Sequence, residues 1–137
     1  MTISEIEQEI IEEFELFGDD WESKYEHLIE LGKSLPKIKD EYKTDDRLIK
    51  GCQSKVWLHS EKLGEQIVYT ADSDAIITKG MVALMVRVLS YQTPKAIIAN
   101  ELQFIGKIGL TEHLSPTRAN GLVSMIKQMK LDAMALS

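Results

Sequence analysis

The chain has 137 residues, a formal net charge of −6, and 44% apolar and 28% charged residues, which suffices for one domain with a buried core. Phosphate binding needs a basic face, so this balance excludes nucleic acid as the main partner. The acid is concentrated at the start, where residues 1–26 hold ten acidic residues against Lys24 alone.

Ile3, Ile6, Ile10, Phe14 and Phe17 recur at helical spacing with glutamates on the other face, predicting an amphipathic helix opened by a Ser4/Glu7 capping box and ended at Gly18. Asp19 or Asp20 then caps a second helix with Trp21, Tyr25, Leu28 and Leu35 as its stripe, stopped by Pro36. Residues 37–50 show no period and read as a long surface loop. Alternation from Ser54 to His59 and from Gln66 to Thr70, around a turn at Glu61–Gly64, predicts an antiparallel hairpin. Asp72-Ser73-Asp74 reads as the cap of the next helix, which is apolar nearly all round from Ile76 to Leu89 and so belongs in the core. Thr93-Pro94 opens a short helix, and Ser115-Pro116 opens the last one, with Ala119, Leu122, Val123, Ile126, Met129 and Ala133 as its packing face. No repeat or low-complexity linker interrupts the chain. The expected architecture is α+β, one domain over residues 1–137, a small antiparallel sheet packed against several helices.

Met1–Glu5 lacks the basic and apolar segments of a secretory leader, and the apolar run from Met81 to Leu89 is broken by Arg87 and too short to span a bilayer. A cytoplasmic protein with no membrane partner is expected, and its one free thiol fits a reducing compartment.

That thiol is Cys52, in Gly51-Cys52-Gln53-Ser54-Lys55-Val56-Trp57-Leu58. A single cysteine forms no internal disulfide and no structural metal site by itself, so it is either inert packing or it reacts with another molecule. Arg47, Lys50 and Lys55 lie within five residues and would stabilise a thiolate. Spacing removes several chemistries. There is no second cysteine for a dithiol, and the position that would close an anion-cradling loop with arginine is Leu58. One thiolate does not hold an iron–sulfur cluster, and His27, His59 and His113 are scattered without ligand spacing. Neither a metal nor a cofactor of its own is therefore expected. Arg118 is a second oddity, a cation in the first turn of a helix, where the dipole favours anions. It is either a solvated side chain or one facing a carboxylate or an anionic ligand. Asp74 is a helix cap or a functional acid, and His113 a structural hydrogen-bonding group or a base. Three readings stay open: a protein-docked carrier, a small hydrolase or transferase using Cys52 with His113 and Asp74, and an adaptor in which Cys52 only packs.

Several stretches in fixed order carry a resemblance. They are Trp21-Glu22-Ser23-Lys24-Tyr25 with Leu31-Gly32-Lys33-Ser34-Leu35-Pro36, Gly51 to Leu58, Asp72-Ser73-Asp74 with Lys79-Gly80, and His113-Leu114-Ser115-Pro116-Thr117-Arg118-Ala119-Asn120-Gly121-Leu122. From about the second helix to its C-terminus the chain resembles the SufE family of sulfur acceptors, which includes CsdE. The resemblance implies that the thiol matching Cys52 takes sulfur as a persulfide from a pyridoxal-phosphate cysteine desulfurase, SufS- or CsdA-like. That transfer would stimulate the desulfurase and feed an iron–sulfur scaffold of the SufBCD kind. The cofactor then belongs to the desulfurase, and a homodimer is compatible with the resemblance. It further implies a lid-like acceptor loop that shields its cysteine in an apolar pocket, with Asp74 and Arg118 near it tuning its opening and partner fit, and His113 close by.

Overall fold

In the computed structural model, residues 1–51, 54–110 and 114–137 are described, apart from the side chain of residue 117. The first helix, α1 (Ile3–Glu15), starts two residues earlier than expected. Thr2 is its cap: the Thr2 hydroxyl accepts from the Glu5 N–H at 3.2 Å, and the Thr2 N–H donates to the Glu5 carboxylate at 3.1 Å. Starting at Ile3 lets that residue enter the core, and it frees Glu7 for another task. Glu7 is only 8% exposed and accepts the N–H groups of Gln103 and Phe104 at 2.8 and 3.0 Å, so a buried carboxylate is satisfied by a distant backbone. Helix α2 (Trp21–Lys33) is capped by Asp20 as anticipated, with the Ser23 N–H at 3.3 Å.

Residues 37–50 are more ordered than an aperiodic sequence suggested. Two 3-10 turns, Asp40–Tyr42 and Asp45–Arg47, are pinned by the burial of Ile38 and Ile49, and Leu48 bridges to Trp57. Isolated apolar residues anchor this segment, and they leave no period to read. The hairpin pairs β1 (Val56–Leu63) with β2 (Gln66–Ser73). Leu63 faces Gln66, so the turn is Gly64-Glu65, with Gly64 at φ +62°. Both strands run past their expected ends, while β1 begins two residues after the expected Ser54. Ile67, Tyr69, Ala71 and Ser73 alternate inward on β2.

The expected core helix is α3 (Ile76–Leu89), buried along most of its length. Its cap is a correction, because Ala75 occupies that position without a side-chain bond. Asp72 and Asp74 serve neighbouring elements instead. Helices α2 and α3 cross at near backbone contact: a Cβ on Gly80 would stand 2.2 Å from the Leu28 carbonyl oxygen, and one on Gly32 would stand 3.0 Å from the Gly80 nitrogen. Two glycines of the family-like stretches are thereby explained by packing. Helix α4 (Pro94–Ala99) follows, capped by Thr93, then a short α5 (Phe104–Lys107) that no period announced. The last helix, α6 (Pro116–Leu136), has the expected Ser115 cap and leading proline. On it Val123 points outward at 66% exposure, while Met125 is buried at 2%. Residues 122 and 123 are about 100° apart on a helix, so only one of the two can face the core. The Tyr69 hydroxyl donates to the Met129 carbonyl at 2.7 Å and ties α6 to the sheet. Burial pushes that phenol well above its ordinary pKa, with Asp132 adding to the rise. The result is the α+β arrangement expected, a two-stranded sheet with helices packed around it. Among the described residues no helix is long and apolar enough to cross a membrane.

Candidate functional site

The approach to Cys52 is a strand-like leg. Leu48 bridges to Trp57, and the Ile49 N–H donates to the Val56 carbonyl at 2.9 Å. That bond closes a loop of residues 50–55, which includes Cys52. Cys52 and Gln53 themselves lie outside the described residues, as do Thr111, Glu112 and His113.

Three features fix the loop. Gly51 has φ +91°, a conformation suited to glycine. A Cβ there would also stand 2.6 Å from the Ser124 hydroxyl oxygen on α6, so backbone angle and space both demand glycine. On the other leg, Asp74 and Lys55 form a reciprocal pair. The Lys55 N–H donates to the Asp74 carboxylate at 3.0 Å, and the Asp74 N–H donates to the Lys55 carbonyl at 3.2 Å. Asp74 is therefore bonded to the leg of the loop and caps no helix. Beneath this pair Asp72 takes Lys43 at 2.8 Å and Lys79 at 3.2 Å. Burial alone would raise the Asp72 carboxyl, but hydrogen bonds from Lys43, the Ser73 N–H and Lys79 outweigh it and hold it below the ordinary carboxylate range.

Lys50 and Lys55 are exposed, and among the described residues no carboxylate pairs with either ammonium group. Arg118 donates its backbone N–H to the Ser115 hydroxyl at 3.3 Å. Its side chain is exposed, and no described residue engages the guanidinium. The structure thus bonds Asp74 to the leg of the loop and exposes the Arg118 side chain at the start of α6.

The segment before His113 has its own fastenings, which the sequence reading missed. The Lys24 ammonium, nearly buried, donates to the Ile108 carbonyl at 3.4 Å and lies 4.5 Å from the Trp21 ring centre. Gly109 has φ +83°, and a Cβ on it would stand 3.0 Å from the Trp21 ring. Trp21 and Lys24 were read as a helix stripe and a lone charge, because their partners lie far along the chain. Ser124 was missed for the same reason. A groove of about 680 Å³ runs from the loop along α6, lined among others by Arg47, Lys50, His59, Ser124, Lys127 and Asp132.

Comparisons with known proteins identify the family. Residues 8–133 match the SufE family, described as an Fe-S metabolism associated domain. An uncharacterised SufE-like protein of Rhizobium meliloti is 40% identical over 130 residues, covering 91% of this chain and 92% of the relative. A second, from Rhizobium etli, is 39% identical over 130 residues, covering 91% and 87%. The solution structure of a hypothetical protein from Thermus thermophilus superposes with a TM-score of 0.79 at 18% identity, covering 96% of this chain and 95% of that one, which shows a shared fold. The chain belongs to the SufE family, and its role lies in iron–sulfur metabolism.

Proposed function

We propose that this protein is a single-domain cytoplasmic sulfur carrier, spanning residues 1–137, that accepts a persulfide on Cys52 from a cysteine desulfurase of the SufS or CsdA kind. By draining the donor it stimulates turnover, and it passes the sulfur to a scaffold of the SufBCD kind for iron–sulfur cluster assembly. The observation that carries this reading is the closed loop of residues 50–55, whose two legs are held by Ile49–Val56 and by Asp74–Lys55 around the chain's one thiol.

The transfer is a thiol exchange. The Cys52 thiolate attacks the outer sulfur of the donor's persulfide. A new S–S bond forms on Cys52, the donor's S–S bond breaks, and the donor's thiolate leaves carrying the electron pair. Lys50 and Lys55 favour the attacking anion. Asp74 is a positioning residue, since its carboxylate is committed to the Lys55 N–H. Arg118, exposed at the start of α6, would meet an anionic group of the docked partner.

The test is an intact mass taken without reductant after incubation with a desulfurase, pyridoxal phosphate and cysteine. The expected result is a gain of one sulfur atom that disappears on reduction and in Cys52→Ser. No adduct and no stimulation with either donor type would overturn the carrier function.

A further inference from the structure

Helix α6 turns one apolar row away from the core. Val123, Leu131 and Met134 are 66%, 48% and 56% exposed, and Lys127 between them is exposed as well. At the helical turn per residue, these four side chains fall within an arc of about 80° along about three turns. Other large apolar residues at the surface, such as Leu16, Leu63 and Ile98, lie on separate elements, and apolar residues exposed singly are ordinary. A row on one helix face is different, because its side chains form a ridge onto which a second helix packs.

The row borders the groove of about 680 Å³ and shares Lys127 and Leu131 with it. Buried Ile49 and Leu58 line the same groove, and Lys50 joins from the leg before Cys52. The acids of the groove are already bonded. Asp132 accepts from the Ser60 hydroxyl at 2.7 Å and from the Gln128 amide at 2.8 Å, and Asp46 accepts from the Thr44 hydroxyl. Lys50 and Lys127 are exposed and, among the described residues, form no ion pair. A small ligand in the groove would leave Val123 and Met134 in water. The combined surface therefore fits a longer occupant, with apolar side chains for the row and carboxylates for the lysines. Helix α1 of this chain has that character, but its apolar side chains Ile3, Ile10 and Phe14 are at most 2% exposed in their own core, so a second copy has no such face to offer. A net charge of −6 disfavours an anionic bilayer.

We infer that α6 and the groove beside it form a docking surface for an acidic amphipathic helix of a partner protein, packed on Val123, Leu131 and Met134 with carboxylates toward Lys127 and Lys50. Sulfur transfer plays no part in the test. The probe is a fluorescein-labelled synthetic peptide of about four helical turns, with leucines along one face and glutamates beside them, titrated with the full chain by fluorescence anisotropy at low salt. Saturable binding is expected. Leu131→Ser should weaken it on the order of tenfold through lost apolar burial. Lys127→Glu should weaken it on the order of tenfold as well, by an amount that shrinks as salt rises. A peptide with lysines in place of the glutamates should not bind the wild type. Val123→Ser, at the most exposed position of the row, serves as the apolar variant if Leu131→Ser fails to fold. No saturable binding, equal binding of the lysine peptide, or wild-type affinity in both Val123→Ser and Lys127→Glu would overturn the docking surface. Self-association of the wild type that Lys127→Glu abolishes in sedimentation would assign the row to a second copy instead. Cosedimentation with phosphatidylglycerol vesicles, lost in the same variant, would assign it to a membrane; either result overturns the partner helix.

Discussion

Alanine at position 51 meets two obstacles, which can be separated by a second substitution. At φ +91° a residue with a Cβ loses about 1–2 kcal/mol relative to glycine. The added Cβ also lands 2.6 Å from the Ser124 hydroxyl oxygen, but 3.4 Å from the Ser124 Cβ, which is ordinary contact. The steric cost is therefore assignable to one oxygen and should be about 1–2 kcal/mol, toward the lower end for overpacking because a hydroxyl can turn aside. Gly51→Ala should thus destabilise by about 2–4 kcal/mol. Ser124→Ala alone should be nearly neutral, and the double variant should recover the steric part, a coupling of about 1 kcal/mol or more. Urea unfolding of all four proteins gives the cycle, and desulfurase stimulation run beside it shows whether the loop still functions. Additive effects, or a Gly51→Ala variant as stable as wild type, would refute the placement of α6 against the loop.

Gly80→Ala would push a Cβ onto the Leu28 carbonyl at 2.2 Å. Backbone cannot rotate away, so a loss of about 3 kcal/mol or more is expected as a lowered thermal midpoint. Asp74→Ala removes the acceptor for the Lys55 N–H and should cost about 1–2 kcal/mol with a loss of desulfurase stimulation. Asp74→Asn keeps an oxygen at that place and should retain most of both. The acid limb of stability is expected to depend on Asp72 and Glu13. Hydrogen bonds hold the Asp72 carboxyl low against its burial, and the hydrogen bond from Arg87 holds that of Glu13 low. Folded pKa values below the unfolded ones mean stability that is full above the ordinary carboxylate range and lost as pH falls through the lowered values. Asp72→Asn should flatten that limb in denaturation midpoints measured between pH 7 and pH 3, and an unchanged slope would count against the Lys43–Asp72–Lys79 triad.

Long, strongly patterned elements were legible in the sequence. The all-apolar stretch of α3, the alternation of the hairpin and the Ser115-Pro116 start of α6 each carry a repeated signal of one period. Short elements did not, because α5 has four residues and the leg before Cys52 depends on single anchors such as Ile38 and Ile49. Asp74 shows a different limit. An aspartate just ahead of a helix can cap that helix or receive an N–H from a neighbouring loop, and spacing does not distinguish the two. Glu7 misled in the same way, since its position fits a capping box while its carboxylate serves residues 103 and 104. The candidate thiol was legible because it is the chain's one cysteine. Its surroundings were not, because Ser124 on α6 and His59 on β1 become neighbours of the loop only through tertiary folding.

The near-contact of α2 with α3 has a consequence for the spacing of the site. Asp74 stands at the head of α3 and holds the Cys52 loop, while Trp21 and Lys24 on α2 hold residues 108 and 109, on the approach to His113. The two segments are therefore mounted on a pair of helices whose backbones touch at Gly32 and Gly80. Side chains between helices yield by changing rotamer, whereas backbone against backbone does not. The helix pair thus works as a gauge block, which sets the distance between the two mountings to the tolerance of covalent geometry.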